Sequence, residues 1–391
     1  MRLSASLLGA GDAPDNRSAA YKRFREGKLR FEAYNEFKTD IKYTDVTGIG
    51  FEEGVTRRDP SGVIKVGDLY YVWYTRPPTS IPRVGLAKAK ENPSLRAYHW
   101  DLAEIWYATS PDGYHWTEKG RSVSRGPAGG FDARSVFTAD ILAVNGKYYL
   151  FYQAAGSLDQ GTVRPQGPMT GDFRGNVIAM SWADSPDGPW HRWDKPILEV
   201  GPPDAWDGSV MHDPSLIVRN GQYWLYYKSS PRNSYEGVND NKGFSREFAD
   251  MNRAIWGVAM ADRPEGPYVK SKFNPVLISG HEVIVWPYRQ GVCAFMSEGP
   301  ERNSIQYAED GINFYPVYHG LRPPEAAGVF RADNFVDTDI KPGPGITWGL
   351  CHILGDWNYL KRFDLDLTVE KGDRINALYE PVRRLQQESQ K

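Results

Sequence analysis

A short motif that recurs along the chain constrains its fold most strongly. Asp-Pro-Ser begins an apolar run at Asp59 and begins another at Asp213. In both places a glycine follows at the same offset, and an aromatic run comes next, at residues 70–74 and 223–227. An apolar run before a tight turn and an aromatic run after it are typical of the two arms of a β-hairpin. The motif therefore predicts equivalent hairpins, each with a carboxylate at its start.

Two kinds of tight turn complete the repeat. Asn-Gly turns occur at residues 145–146 and 220–221, and Pro-Asp-Gly or Pro-Glu-Gly turns close successive units. Two hairpins make four strands, and about five such units predict an all-β fold, a five-bladed β-propeller. The units start near Asp59, Thr138, Asp213 and His281, with a degenerate fifth over residues 332–367. A large β-sandwich is the alternative, but it would not require the same acidic position to recur.

The sequence predicts that the chain is divided into three segments. Residues 1–50 contain two helix-compatible stretches, 18–26 and 31–38, with too little apolar surface to fold alone. We expect this N-terminal helix-turn-helix arm to pack on the main body or on another subunit. Residues 51–370 form the propeller, and the charged residues 371–391 form a C-terminal tail.

Composition excludes several classes of partner. The 391 residues include 47 basic and 49 acidic side chains, a balance that argues against nucleic acid as a partner. The first ten residues make a poor signal peptide and are too short to span a membrane, so we expect no membrane association and a cytoplasmic or periplasmic location. Cys293 and Cys351 lie in strand-like runs and are predicted to be buried free thiols.

The repeat predicts where the chemistry lies. The first strand of each propeller blade begins near the central channel, so Asp59, Thr138, Asp213 and either His281 or Glu282 are expected to face one another. Hydrolysis of a glycosidic bond needs a group that protonates the leaving oxygen and another that activates water, and paired carboxylates are the usual solution. An Asp before Pro often only caps a turn. Its recurrence at equivalent positions favours a catalytic role.

Three longer motifs resemble glycoside hydrolase family 117. They are residues 56–61, residues 211–215, and residues 280–288 together with 299–306 and 310–314. The resemblance covers about residues 18 to 365. It implies an exo-acting, inverting α-1,3-(3,6-anhydro)-L-galactosidase that removes 3,6-anhydro-L-galactose from the non-reducing end of agar-type oligosaccharides. It also implies a homodimer in which the N-terminal arms are exchanged.

The resemblance implies a role for each candidate. Asp59 would be the general base, His281 the general acid, Asp213 a residue that orients the sugar and tunes the acid, and Glu282 a partner of His281 or of the substrate. Glu282 remains the alternative acid. A histidine beside carboxylates has a raised pKa, which suits proton donation at neutral pH. The candidate substrate contacts are Arg58, Trp106, Thr138, Gln153 and His212.

The second unit departs from the family pattern and leaves the sugar open. No histidine follows Gln153 before residue 190, residues 156–175 form an unusual Gly-, Gln- and Arg-containing loop, and residues 239–250 look like an insertion. The sequence requires no cofactor, although a divalent cation in the central channel would leave no spacing signal. One alternative is a propeller glycosidase or phosphorylase acting on another α-linked sugar; in the phosphorylase, phosphate would be held by Arg57, Arg58 and Arg331. The other alternative is a sugar-binding propeller without catalytic activity.

Overall fold

Five four-stranded antiparallel sheets build the protein, in agreement with the predicted five-bladed β-propeller. The computed structural model describes residues 17–27, 37–157, 176–202, 205–231, 255–278, 280–331 and 345–368. The strands in chain order are β1 (Asp40–Asp45), β2 (Ile64–Val66), β3 (Leu69–Arg76), β4 (Glu104–Ser110), β5 (Thr117–Val123), β6 (Ser135–Val144), β7 (Lys147–Ala155), β8 (Val177–Ala183), β9 (His191–Arg192), β10 (His212–Arg219), β11 (Gln222–Ser229), β12 (Ile255–Ala261), β13 (Val269–Lys270), β14 (Val285–Tyr288), β15 (Gly291–Met296), β16 (Ser304–Ala308), β17 (Tyr315–His319), β18 (Gly328–Val329), β19 (Trp348–Ile353) and β20 (Tyr359–Asp366).

The first and last parts of the chain share one blade. Blades 1 to 4 are β2–β5, β6–β9, β10–β13 and β14–β17, whereas blade 5 has the order β18, β19, β20, β1. Register in blade 5 pairs Asp40 with Asp366 and Asp45 with Lys361. The strand β1 lies within the 1–50 segment assigned to the arm, so the propeller begins at Asp40. Its sequence, DIKYTD, is mostly polar and has no buried face, which is why no strand was expected there.

The second turn of a blade packs on the preceding blade. The Asp187 carboxylate, in the turn between β8 and β9, accepts hydrogen bonds from Tyr71 Oη and Tyr107 Oη of blade 1 at 3.3 and 3.1 Å. In the same way Glu265 Oε1 accepts a bond from Tyr149 Oη of blade 2 at 3.0 Å. The repeated Pro-Asp-Gly and Pro-Glu-Gly turns therefore join neighbouring blades as well as neighbouring strands.

Two helices occur in the described residues. The helix α1 (Ala19–Glu26) begins at the N-cap Ser18 and ends at Gly27, whose φ of 63° suits glycine. It docks on blade 4 through a buried ion pair, Arg23 Nε to Glu301 Oε1 at 2.8 Å. The helix α2 (Leu86–Glu91) lies between β3 and β4. Several predicted features fall wholly or largely outside the described residues: the second arm helix, the 156–175 loop, the 239–250 insertion, the 332–336 strand and the tail.

Apolar side chains fill the spaces between blades. The largest cluster joins blades 1, 2 and 3, and smaller clusters lie between blades 3 and 4, 4 and 5, and 5 and 1. Cys293 and Cys351 are buried free thiols, as predicted. No helix among the described residues is long and apolar enough to cross a membrane.

Candidate active site

Four of the five blade starts, all but that of blade 4, share an unusual backbone conformation. Asp59, Thr138, Asp213 and Ala326 have φ values of 49°, 47°, 47° and 46°. Residues other than glycine rarely adopt this left-handed region, and a β-branched residue such as Thr138 does so least readily. In blades 2 and 3 the strand register also shifts next to this residue. The same local kink at equivalent positions brings the side chains of the blade starts to one end of the channel.

Asp59 is buried and held in its charged form. Arg58 Nε donates to Asp59 Oδ2 at 2.8 Å, and Thr138 Oγ1 donates to the same oxygen at 3.1 Å. His352 Nδ1 accepts from the Asp59 backbone N–H at 3.2 Å and lies 3.1 Å from Asp59 Oδ1. Burial raises the pKa of Asp59, but Arg58 and His352 outweigh it and lower the pKa well below the usual range. A buried carboxylate that stays ionised can accept a proton from water.

A second pair of carboxyl groups lies across the channel from blade 1. Asp213 and Glu282 are 4% and 7% exposed, and Lys228 Nζ contacts Asp213 Oδ2 closely. Burial, followed by the charge of Glu282, raises the pKa of Asp213 to about 8. Two adjacent buried carboxyl groups cannot both ionise easily, so the pair retains one proton at neutral pH.

His281 stands at the mouth of the site. Its imidazole is 40% exposed, and Nδ1 lies 2.9 Å from Glu325 Oε1 and 3.5 Å from Glu282 Oε1. Lys228 lowers the pKa of His281, but Glu282, the bond to Glu325 and Asp213 together outweigh Lys228 and burial, so that the pKa is raised. The imidazole can therefore carry a proton at neutral pH and present its Nε2 atom to a ligand.

The floor of the site is a polar cavity on the propeller axis. It is lined by Asp59, Asp213, Glu282, Asp140 and Arg331, among other residues. Arg331 Nη2 donates to both oxygens of Asp140, at 2.9 and 3.1 Å. This ion pair lies inward of the three acids and joins blades 2 and 5 across the axis.

The structure brings most of the predicted residues together. Asp59, Asp213 and Glu282 line one cavity, with Arg58 and Thr138 bonded to Asp59. Gln153 Nε2 and His212 Nδ1 are 2.9 Å apart and both residues are buried at the edge of this group. Trp106 is placed differently: its ring packs between blades 1 and 5, with Arg76 3.9 Å from the ring centre.

Three residues at the site were not singled out from the sequence. Lys228, Glu325 and His352 are absent from the candidate residues named from the sequence. His352 is buried, at 1% exposed, and its imidazole contacts Asp59. Each comes from a position that carries no motif. His352, in the second strand of blade 5, offered the only signal, an ionisable group in an otherwise apolar strand.

One group of side chains at the mouth could hold a metal ion. His281, Glu282 and Glu325 each offer one ligand atom, and these atoms lie within 4.8 Å of one another. One imidazole nitrogen and two carboxylate oxygens form a donor set that suits a divalent ion such as Zn²⁺.

Known proteins share this architecture. The family model for glycosyl hydrolases family 43 matches residues 54–250. Zg3597, a family 117 glycoside hydrolase produced by the marine bacterium Zobellia galactanivorans, is 38% identical with a TM-score of 0.70, over 86% of this chain and 93% of that chain. CoXyl43, a GH43 beta-xylosidase/alpha-arabinofuranosidase from a compost microbial metagenome, shares the fold at 16% identity and a TM-score of 0.50, over 82% and 94%. No curated protein sequence matches this chain.

The propeller fold and these comparisons define a glycoside hydrolase of the five-bladed class. Because a solved member is 38% identical over most of both chains, the chain belongs to glycoside hydrolase family 117. The family resemblance seen in the motifs is thereby confirmed, and with it the expectation of an enzyme that hydrolyses glycosidic bonds.

Proposed function

We propose that the protein is an exo-acting, inverting hydrolase that releases 3,6-anhydro-L-galactose, or a related α-1,3-linked sugar, from the non-reducing end of agar-type oligosaccharides. The observation that carries the proposal is the division of charge at the channel mouth. Asp59 is held ionised, while Asp213 and Glu282 share a proton and His281 is favoured in its protonated form. A base and an acid that differ in this way are what hydrolysis with inversion requires.

Asp59 is the general base in this mechanism. Its carboxylate takes a proton from a water molecule as that water attacks the anomeric carbon. The bonds from Arg58 and Thr138 both reach Asp59 Oδ2 and fix the carboxylate, while Asp59 Oδ1 lies 3.1 Å from His352 Nδ1.

His281 is the general acid. Its Nε2 proton passes to the glycosidic oxygen as the bond from that oxygen to the anomeric carbon breaks, so the leaving sugar departs as an alcohol. Glu325 holds Nδ1, which fixes the orientation of the ring. Glu282 is the alternative acid, and the reaction class would be the same.

The test is a product analysis with matched variants. Neoagarobiose and neoagarotetraose are incubated with the protein, with and without phosphate, and followed by proton NMR. We expect phosphate-independent release of anhydrogalactose in the inverted configuration. Asp59→Asn and His281→Ala should each lower kcat by at least about 100-fold, whereas Asp184→Asn, an exposed change far from the channel, should have no effect.

Each contrary result has its own meaning. Phosphate-dependent turnover would make the protein a phosphorylase. Turnover of other α-linked galactans but not of neoagarobiose would assign a different sugar, in keeping with the histidine-free second blade. Near-normal activity of either variant would remove that residue from the mechanism.

The arm supports a second proposal, that the protein is a homodimer with exchanged arms. The contacts of α1 are specific: Ser18 Oγ donates to Pro275 O at 2.7 Å, and Arg23 bonds to Glu301 and to Phe314 O. A helix from a second copy would make the same contacts. Deleting residues 1–40 should yield monomers by light scattering, and a dimer that survives the deletion would contradict the exchange.

A divalent cation at the mouth is a further proposal. His281, Glu282 and Glu325 would hold it, and it would polarise an oxygen of the substrate or of water. A metal ion and a proton would compete for the His281 imidazole. The proposal that His281 is a general acid and the proposal that it is a metal ligand can therefore be tested separately. The requirement for a metal ion is tested by metal analysis of the purified protein and by measuring its activity after EDTA treatment. Full activity without metal would show that no ion is needed.

A further inference from the structure

The second strand of a blade ends beside the start of the first strand of the same blade. In blades 1, 2 and 3 the residue before the left-handed position is paired in register with a polar residue of the second strand: Arg58 with Thr75, Phe137 with Gln153, and His212 with Lys228. In blade 5 the His352 backbone N–H donates to Glu325 O at 3.2 Å, and Glu325 precedes the left-handed Ala326. We call Thr75, Gln153, Lys228 and His352 the support ring, and all four are buried.

Two members of the support ring accept a backbone N–H from the next blade. His352 Nδ1, in blade 5, accepts from the Asp59 N–H of blade 1 at 3.2 Å. Thr75 Oγ1, in blade 1, accepts from the Thr138 N–H of blade 2 at 2.7 Å. An imidazole nitrogen and a hydroxyl oxygen thus occupy equivalent positions. What they share is a hydrogen-bond acceptor for the N–H of a left-handed residue.

The other two members of the ring reach the start of blade 3. Gln153 Nε2 of blade 2 lies 2.9 Å from His212 Nδ1, and His212 precedes Asp213. Lys228 Nζ contacts Asp213 Oδ2 within blade 3. Each ring residue is therefore in contact with a blade-start residue or with the residue before it. Because the ring residue differs from blade to blade, each of these blade starts has a different partner.

The left-handed backbone explains why an acceptor is needed at these positions. Residues other than glycine rarely hold a φ near that of Asp59, so neighbouring contacts must stabilise the conformation. Asp59 is also buried, and a buried N–H without an acceptor is strongly unfavourable. The bond to His352 Nδ1 satisfies this N–H. It thereby fixes the backbone from which the Asp59 carboxylate extends.

Within the described residues, one nitrogen of the His352 imidazole makes all of its polar contacts. Nδ1 accepts from the Asp59 N–H and lies 3.1 Å from Asp59 Oδ1, whereas Nε2 has no hydrogen-bond partner in that part of the chain. The contact to Asp59 therefore needs an acceptor at the position of Nδ1 and not a whole imidazole. The side-chain oxygen of asparagine can take that position, because both atoms are bonded to Cγ.

We propose that His352 and Thr75 are positioning residues for hydrolysis, each of which holds a blade-start residue through its backbone N–H. His352 acts directly on Asp59, the proposed base. Thr75 acts on it through Thr138, whose hydroxyl donates to Asp59 Oδ2 at 3.1 Å. This inference rests on the proposed function, and it adds that the orientation of the base is set by second-strand residues of blades 5 and 1.

Two variants of His352 test its contact with Asp59. His352→Leu removes the acceptor, whereas His352→Asn keeps one at the position of Nδ1. We expect His352→Leu to lower kcat about tenfold or more and to change KM less than about twofold, since the base acts only in the transition state. His352→Asn should keep kcat within about threefold of the wild-type value. A role in folding alone would not predict recovery of kcat by the smaller asparagine.

Thr75 provides an independent pair of variants. Thr75→Val keeps the shape of the side chain and removes the acceptor, and it should lower kcat about fivefold or more. Thr75→Ser keeps the hydroxyl and should restore most of the activity. Tyr226→Phe is the control, because it removes a different buried hydrogen bond of a second strand, from Tyr226 Oη to Gly311 O in the β16–β17 turn at 2.8 Å. It should leave kcat unchanged.

Hydrogen–deuterium exchange follows the Asp59 N–H without depending on turnover. A peptide that spans Asp59 should exchange faster in His352→Leu than in His352→Asn or in the wild type. A kcat of His352→Leu equal to that of the wild type would overturn the proposal. So would an His352→Asn variant as slow as His352→Leu, because the acceptor would then not be the group that matters.

Failure of the proposed function is recognised separately. A wild-type protein that hydrolyses neither agar-type oligosaccharides nor other α-linked galactans would refute the substrate class proposed above. The exchange measurement would then decide about the contact by itself, and unchanged exchange at Asp59 in His352→Leu would overturn it.

Discussion

The ion pair on the propeller axis allows a quantitative test of how the site is supported. Asp140 and Arg331 are 4% and 6% exposed at the side chain. Asp140 also accepts backbone bonds from Gly62 at 3.0 Å and Leu216 at 2.9 Å, which lie three residues after Asp59 and Asp213. Asp140→Asn keeps the shape of the side chain but removes the carboxylate charge that contacts the Arg331 guanidinium. Removing one partner of a buried pair costs about 3–5 kcal/mol.

Urea denaturation measures this loss. We expect the midpoint of Asp140→Asn to fall while the dependence on urea stays unchanged, since the same surface is exposed on unfolding. The double variant Asp140→Asn/Arg331→Met removes both charges of this pair and should recover at least about 2 kcal/mol of the loss. Asp184→Asn, which breaks an exposed pair with Lys147, should cost no more than about 0.5 kcal/mol. A single-variant loss below about 1 kcal/mol would refute the view that this pair holds the blade starts together.

Three further predictions concern single contacts. Glu325→Gln should lower kcat about tenfold and move the alkaline limb of the pH profile of kcat to lower pH, because the pKa of His281 would fall. An unchanged profile would show that Glu325 does not act through His281. The raised pKa of Asp213 means that its contribution to stability is complete below the unfolded value near about 4 and is lost as pH rises through about 8. Asp213→Asn should therefore lose less stability than wild type in denaturation experiments between pH 6 and 9, and parallel curves would contradict this. Asp187→Ala should cost about 1 kcal/mol or more by removing the acceptor of both Tyr71 Oη and Tyr107 Oη. Tyr107→Phe removes only one of the two bonds and should cost less, and an unchanged stability of Asp187→Ala would contradict this.

The repeat in the sequence predicted the fold and much of the candidate site for one physical reason. In a propeller, residues at equivalent positions of the repeats lie close together at the central axis. Recognising that Asp59, Thr138 and Asp213 occupy equivalent positions was therefore enough to predict that they converge. The turns could also be predicted from the sequence, because tight turns require backbone conformations that few residues adopt, and Asn-Gly and Pro-Asp-Gly are typical of them.

The partners of these residues could not be predicted in the same way. His352 contacts Asp59 across 293 residues of sequence, and Glu325 reaches His281 from the neighbouring blade. Such contacts depend on how far each side chain extends into the channel, which no spacing along the chain encodes. The strand β1 was missed for a different reason: it is the outer strand of its blade, mostly exposed, and so carries no alternation of apolar and polar residues.

The backbone at the blade starts connects the fold to the chemistry. A left-handed conformation costs a residue other than glycine about 1–2 kcal/mol, and glycine would remove that cost. Thr138 nevertheless occupies this conformation, and its hydroxyl donates to Asp59 while its N–H bonds to Thr75 Oγ1. Glycine at this position would relieve the strain but would leave Asp59 Oδ2 without the hydrogen bond from Thr138 Oγ1. The strain at Thr138 is thus balanced by a contact to the proposed base, which is where strained backbone is expected in an enzyme.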